Sequence, residues 1–189
     1  MITKDRNYRS FSFETVEGDM IVRGMPVVLE SPTVMFVEDG IEYKELIAKD
    51  ALNDTDIEDV VFNIDHIGKP AAKTKNGTLA LESRDDGLYM QADLSKNETG
   101  RELYEDIKNG FYDKMSFAFS IEDEEYDKET HTRYIKKIKK IYDVSAVTFP
   151  AYSNTTISAR SFFEAEAAKE LKAKELAELR KKLLIKTYL

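Results

Sequence analysis

The sequence predicts a mainly β chain of the α+β class that ends in a helix, and three observations predict it. Short apolar runs alternate with polar residues at the period of two expected of half-buried strands, from Phe11-Ser-Phe13 to Met115-Ser-Phe-Ala-Phe119. One interior stretch, about Glu98 to Asn109, has helical spacing instead, with Leu103 and Ile107 four residues apart. From Ser161 onward Gly and Pro are absent, and Ala, Glu, Lys and Leu dominate, which is the composition of a helix.

In chain order, residues 10 to 30 hold strands at Phe11 to Phe13, Met20 to Arg23 and Val27 to Leu29. Glu17-Gly18-Asp19 is the turn between the first two. Pro32 and Glu38-Asp39-Gly40 punctuate the next stretch, and Ile41 to Ala48 fits a short strand or a helix. Val60-Val-Phe-Asn-Ile64 is a compact apolar strand that stops at Asp65-His66. Asn76-Gly77 predicts a tight hairpin between Lys73 to Lys75 and Thr78 to Leu81, and Gly87 to Leu94 alternates as a further strand.

Ser95-x-x-Glu98 and Thr99-x-x-Glu102 both fit a capping box for the interior helix, and Gly110 is placed to stop it. Met115, Phe117 and Phe119 form a bulky strand face, with Ser116, Ala118 and Ser120 on the small one. A charged hairpin is expected at Asp123 to Lys128. Arg133 to Thr148 then forms the last long strand region, closed by Phe149-Pro150. In the tail, Phe162, Ala165, Leu176, Leu179 and Leu183 fall roughly on one side. The expected division is a body over 1–160 and an amphipathic helical arm over 161–189.

Composition narrows the function. Hydrophobic residues at 42% and charged residues at 34% indicate a soluble globular chain. The net charge of -8 argues against a nucleic-acid binder, because neutralising phosphates needs a basic surface. No apolar run approaches the roughly 20 residues of a membrane helix, and the polar N-terminus lacks the core of a signal peptide. The absence of cysteine removes disulfides, thiol catalysis and thiolate metal sites, and is compatible with a reducing cytoplasm. The two histidines lack ligand spacing, and no phosphate-cradling glycine motif is present, so no metal or cofactor is expected.

Few residues remain to carry chemistry. His66 sits where an apolar strand meets a polar loop, whereas His131 lies in a polar hairpin and reads as a solvated surface residue. Ser116 lacks the Gly-x-Ser-x-Gly elbow, so an α/β-hydrolase is not indicated, and Ser120 and Ser145 compete with it on equal terms. Asp143 stands inside a strand, where burial of its charge requires a partner such as a histidine; by alternation it shares a face with Ile141, Ser145 and Val147. An edge-strand carboxylate facing water is the plain alternative.

Taken in order, several segments resemble the tailed-phage prohead protease family, whose fold is similar to the herpesvirus maturation protease, assemblin. They are Phe62-Asn-Ile-Asp-His66, Gly77-Thr-Leu-Ala-Leu81, Asp86-Gly-Leu88, Gly110-x-x-x-x-Met-Ser-Phe-Ala-Phe119 and Asp143-Val-Ser-Ala-Val-Thr-Phe-Pro-Ala-Tyr152. Ile21-Val-Arg-Gly-Met-Pro-Val-Val28 and Glu45-x-Ile47 look like the family's opening, so the resemblance spans about 10 to 160.

The resemblance implies an assemblin-like β-barrel and a serine endopeptidase that cleaves capsid and scaffold precursors, and itself, during prohead maturation. Ser116 matches the nucleophile, His66 the general base and Asp143 the third member that orients the base. Backbone amides around Pro150, Ala151 and Tyr152 are the implied oxyanion hole. The implied partners are the major capsid protein precursor, scaffold and further copies of the chain, in a prohead assembling within the host cytoplasm. Three positions depart from the family pattern. Asp143 replaces a usual glutamate, an aspartate precedes His66 where the pattern is often Asn-His-Asp, and Ala118 replaces a frequent glycine. Two rival expectations are a catalytically silent assembly protein of the same fold and a small β-barrel binding module.

Overall fold

The computed structural model describes residues 11–16, 19–148 and 155–187. Ten strands and two α-helices make up its regular elements: β1 (Phe11–Val16), β2 (Ile21–Val28), β3 (Thr33–Glu38), β4 (Ile41–Ile47), β5 (Val61–Ile64), β6 (Ile67–Lys73), β7 (Leu79–Arg84), β8 (Gly87–Asp93), α1 (Glu98–Lys108), β9 (Lys114–Asp127), β10 (Thr132–Val147) and α2 (Thr155–Thr187). The main path of the sheet runs β3-β4-β10-β9-β1-β2-β8-β7, with β5 and β6 attached beside β10. The mainly β reading holds, but the path does not return on itself. The barrel expectation is therefore corrected to an open sheet.

The hairpin of β9 and β10 is the spine. On its other edge β10 pairs in parallel first with β4, through Thr132 to Ile135, and then with β5, through Asp143 to Ala146. The segment joining β4 to β5 fills the interval. Ile138 N donates to Ala51 O at 2.8 Å, Ile141 N to Asp56 O at 3.0 Å, and Thr55 Oγ1 to Ile138 O at 2.9 Å. The inner face of this frame carries Phe62, Met115, Phe117, Phe119, Val144 and Ala146. These join Val22, Leu88 and Met90 from the far strands and Leu103, Tyr104 and Ile107 from α1 in one continuous core.

Several expectations change for identifiable reasons. Asn76-Gly77 does not turn one strand back on its neighbour. Residues 74–76 form a single 3₁₀ turn, Gly77 takes the left-handed conformation at φ 75°, and β6 pairs with β5 while β7 pairs with β8. Thr74 Oγ1 donates to Glu58 O at 2.6 Å and accepts from Val60 N at 2.9 Å, fastening the chain to the start of β5 before it crosses over. Neither capping box is used. Asn97 Oδ1 accepts from Gly100 N at 2.7 Å as the N-cap of α1, while Ser95 bonds back to Asp93.

At the other end of α1, Gly110 with φ 79° completes the expected stop: Gly110 N donates to Ile107 O and Phe111 N to Asp106 O. The charged run after Ser120 is strand rather than turn. β9 continues to Asp127 because Glu122, Glu124 and Glu125 face Lys137, Arg133 and Lys136 across the hairpin.

The tail is helical and begins at Thr155, earlier than Ser161. Phe163 is buried and Phe162 half-buried against Met35, Phe36, Tyr43 and Tyr126. Beyond them Leu171, Leu176 and Leu179 remain 60%, 49% and 55% exposed, so the described apolar residues do not gather on one covered stripe. Among the described residues no helix is long and apolar enough to cross a membrane.

Candidate active site

A bulge and a turn place the polar residues. Ile141 of β10 lies opposite Phe119 of β9, but Asp143 lies opposite Ala118, so β10 advances two residues for one of its partner. This bulge reverses the facing of the remaining residues of β10. Ile141 stays in the core, and Asp143 and Ser145 point to the opposite side of the sheet with Ser116 and Ala118. The alternation that grouped Asp143 with Ile141 is thereby corrected.

His66 enters from the β5–β6 hairpin. Ile64 pairs with Ile67, so Asp65 and His66 form a two-residue turn, with φ of 46° and 60°. Both values lie in the left-handed region that such a turn requires, at positions where glycine or asparagine is the easier choice. The turn is held from outside. Asp65 N donates to Ala146 O at 2.8 Å, and the Asp65 carboxylate accepts from Thr148 N at 3.0 Å and Thr148 Oγ1 at 3.2 Å. The histidine is thus carried on a strained turn tied to the end of β10.

The imidazole and the carboxylate meet directly: His66 Nδ1 lies 2.5 Å from Asp143 Oδ1. The His66 side chain is 15% exposed and that of Asp143 3%, so the contact is shielded from water. Such a hydrogen bond fixes the ring orientation and leaves Nε2 as the atom available for proton transfer in a neutral ring. Ser145 Oγ donates to the same Asp143 oxygen at 2.8 Å. Ser116 lies directly opposite Ser145 across the hairpin, and Asn63 of β5 lies beside Ser145 on the other edge, which gives a lateral row of three small polar residues. Cβ atoms in directly paired positions are about 4.5–5.5 Å apart. Ser116 is fully buried, and its hydroxyl makes no hydrogen bond among the described residues. No group of acidic and histidine side chains suited to a metal ion occurs among the described residues.

A model of the caudovirus prohead serine protease family matches residues 8–170. The chain belongs to that family. Among solved structures, the capsid assembly protease of bacteriophage T4 matches with 12% identity and a TM-score of 0.49, covering 77% of this chain and 98% of that one. No curated protein matches.

Within this prohead protease, the residues singled out from sequence have three fates. His66 and Asp143 are in contact, so the shorter aspartate does reach the imidazole, and Ser116 stands in the adjoining row. Pro150, Ala151 and Tyr152 lie outside the described residues. His131 is remote from the site and is not freely solvated: its Nδ1 is 3.1 Å from Tyr126 Oη and its ring packs 5.1 Å from Tyr43. Ser120 is bonded weakly by Tyr142 Oη at 3.4 Å and stays outside the cluster. Two neighbours escaped the sequence reading, the turn-fixing Asp65 and the buried Asn63, whose Oδ1 has no hydrogen-bond partner among the described residues. The positions of both within Phe62-Asn-Ile-Asp-His66 were the available signal.

Proposed function

We propose that this prohead protease is a serine endopeptidase in which Ser116 attacks, His66 acts as general base and Asp143 orients and supports the imidazole. The observation that carries the reading is the shielded His66 Nδ1 contact with Asp143 Oδ1 at 2.5 Å, one strand away from a buried serine. A serine hydroxyl is a weak nucleophile at its own pKa, and a neutral imidazole takes its proton as the attack on a peptide carbonyl proceeds. His66 then returns that proton to the leaving amine, and water repeats the sequence on the acyl-enzyme. Asp143 selects the tautomer with the proton on Nδ1 and stabilises the imidazolium that forms.

The tetrahedral oxyanion needs backbone N–H donors. By family resemblance these come from the segment at Pro150, Ala151 and Tyr152. Of these three residues, proline has no amide hydrogen, so only Ala151 and Tyr152 carry an N–H that could serve. The substrates in this reading are capsid and scaffold precursors, cleaved within the assembling prohead in the host cytoplasm, with the arm over 161–189 available to bind them, to pair copies or to be cleaved from the body.

Incubation of the purified chain with its capsid precursor tests the proposal. Wild type yields discrete fragments, while Ser116→Ala and His66→Ala yield none and retain the folded far-ultraviolet spectrum. Fragments at the wild-type rate from Ser116→Ala reject it, and no fragments from any form favour the silent assembly protein.

A further inference from the structure

Asp143 accepts twice on one oxygen, from His66 Nδ1 at 2.5 Å and from Ser145 Oγ at 2.8 Å. An aspartate has a short side chain whose terminal torsion is broad and roughly two-fold, so a single hydrogen bond leaves the carboxylate plane loosely defined. Ser145 supplies the second constraint from the same strand and the same face, two residues on, where the pleat brings the two side chains together. Its position is fully buried, and an ionised carboxylate only accepts, so the hydroxyl proton is committed to Asp143.

The contrast with Ser116 sharpens the point. The two serines are cross-strand partners on one face, yet one hydroxyl is bonded to the carboxylate and the other makes no hydrogen bond among the described residues. A serine already donating to an anion is a poor attacking group in that state, whereas its neighbour has no such commitment.

We infer that Ser145 is a positioning residue of this protease, which locks the Asp143 carboxylate so that His66 is held toward Ser116. The inference rests on the roles proposed above for Ser116, His66 and Asp143. It assigns work to a residue that sequence reading offered only as a rival nucleophile.

The experiment compares wild type with Ser145→Ala, reading kcat and KM on a precursor substrate and the low-field proton NMR signal of the His66 Nδ1–H. The substitution removes one oxygen from a packed site. The expected result is an unchanged KM, a kcat lower by about tenfold, the scale of one hydrogen bond to a charged group, and a displaced or broadened signal. In an Asp143→Asn background, Ser145→Ala has no further effect on kcat, because the group that it positions has lost its role. A wild-type kcat with an unmoved signal overturns the inference, and so does a kcat loss of equal size in both backgrounds, which marks a general packing defect. A wild-type protein with no low-field signal that depends on His66 and Asp143 would instead reject the catalytic pair itself.

Discussion

β10 buries a carboxylate near each of its ends, and the two are partnered differently. Near the start, Glu45 of β4 meets Arg133, whose guanidinium also binds Glu124 of β9 at 2.6 Å and lies 4.2 Å over the ring of Phe162. Near the finish, Asp143 meets His66 and Ser145. Burial pushes the Arg133 guanidinium below its usual pKa while the charge of Glu124 opposes that shift; it stays a permanent cation. A permanent cation holding two carboxylates and an aromatic ring is a clamp that joins β4, β9, β10 and α2. At the other end the carboxylate faces an imidazole in place of a permanent cation. The same strand therefore carries an ion cluster at one end and a carboxylate–imidazole–hydroxyl cluster at the other, and the group that faces the carboxylate separates them.

The largest expected effect falls on the Asp143 end alone, the end proposed to be catalytic. Asp143→Asn keeps the shape but offers His66 the wrong hydrogen-bond partner, and kcat falls by about 10³- to 10⁴-fold with little loss of melting temperature. Steady-state kinetics alongside a thermal melt check this. The converse substitution, Arg133→Ala, takes the guanidinium away from a carboxylate that is 2% exposed and costs about 3–5 kcal/mol of stability, measured by urea unfolding. Its kcat per folded molecule stays near wild type. Equal effects of both substitutions on both readouts would erase the distinction between the two ends.

An exposed cluster supplies the small-effect limit. The hydrogen bond from Lys73, followed by that from Lys75, holds the Asp59 carboxyl down at about 2 against an ordinary 3.8. A depressed folded-state value means that its stabilising contribution is complete above the ordinary value and is lost as pH falls through about 2. Since the cluster faces solvent, Asp59→Asn changes stability little, and less still at high salt. An NMR titration of the Asp59 side chain checks the midpoint, and a value near 4 contradicts the clasp.

Strand content and the bulky face at Met115, Phe117 and Phe119 were legible because packing against one core imposes alternation. The same alternation misplaced Ile141 relative to Asp143, since a bulge changes the period by one residue and leaves no compositional mark. The run from Asp123 to Lys128 read as a charged hairpin because the strand character of most of it depends on lysines and an arginine on the facing strand. Whether the sheet closes depends on pairing between elements distant in sequence, and so it was not readable locally. At the site, residue chemistry alone left His66, Ser116, Ser145 and Asp143 undecided. Family resemblance joined three of them, and the structure adds the contact between His66 and Asp143 and the bond from Ser145.

Whether the His66–Asp143 pair serves the Ser116 hydroxyl is read out by covalent labelling with a fluorophosphonate reagent, mapped by mass spectrometry. The expected result is one adduct, on Ser116, formed by wild type and absent from Ser116→Ala and His66→Ala. An adduct on Ser145, or labelling of Ser116 that is indifferent to loss of His66, would contradict it.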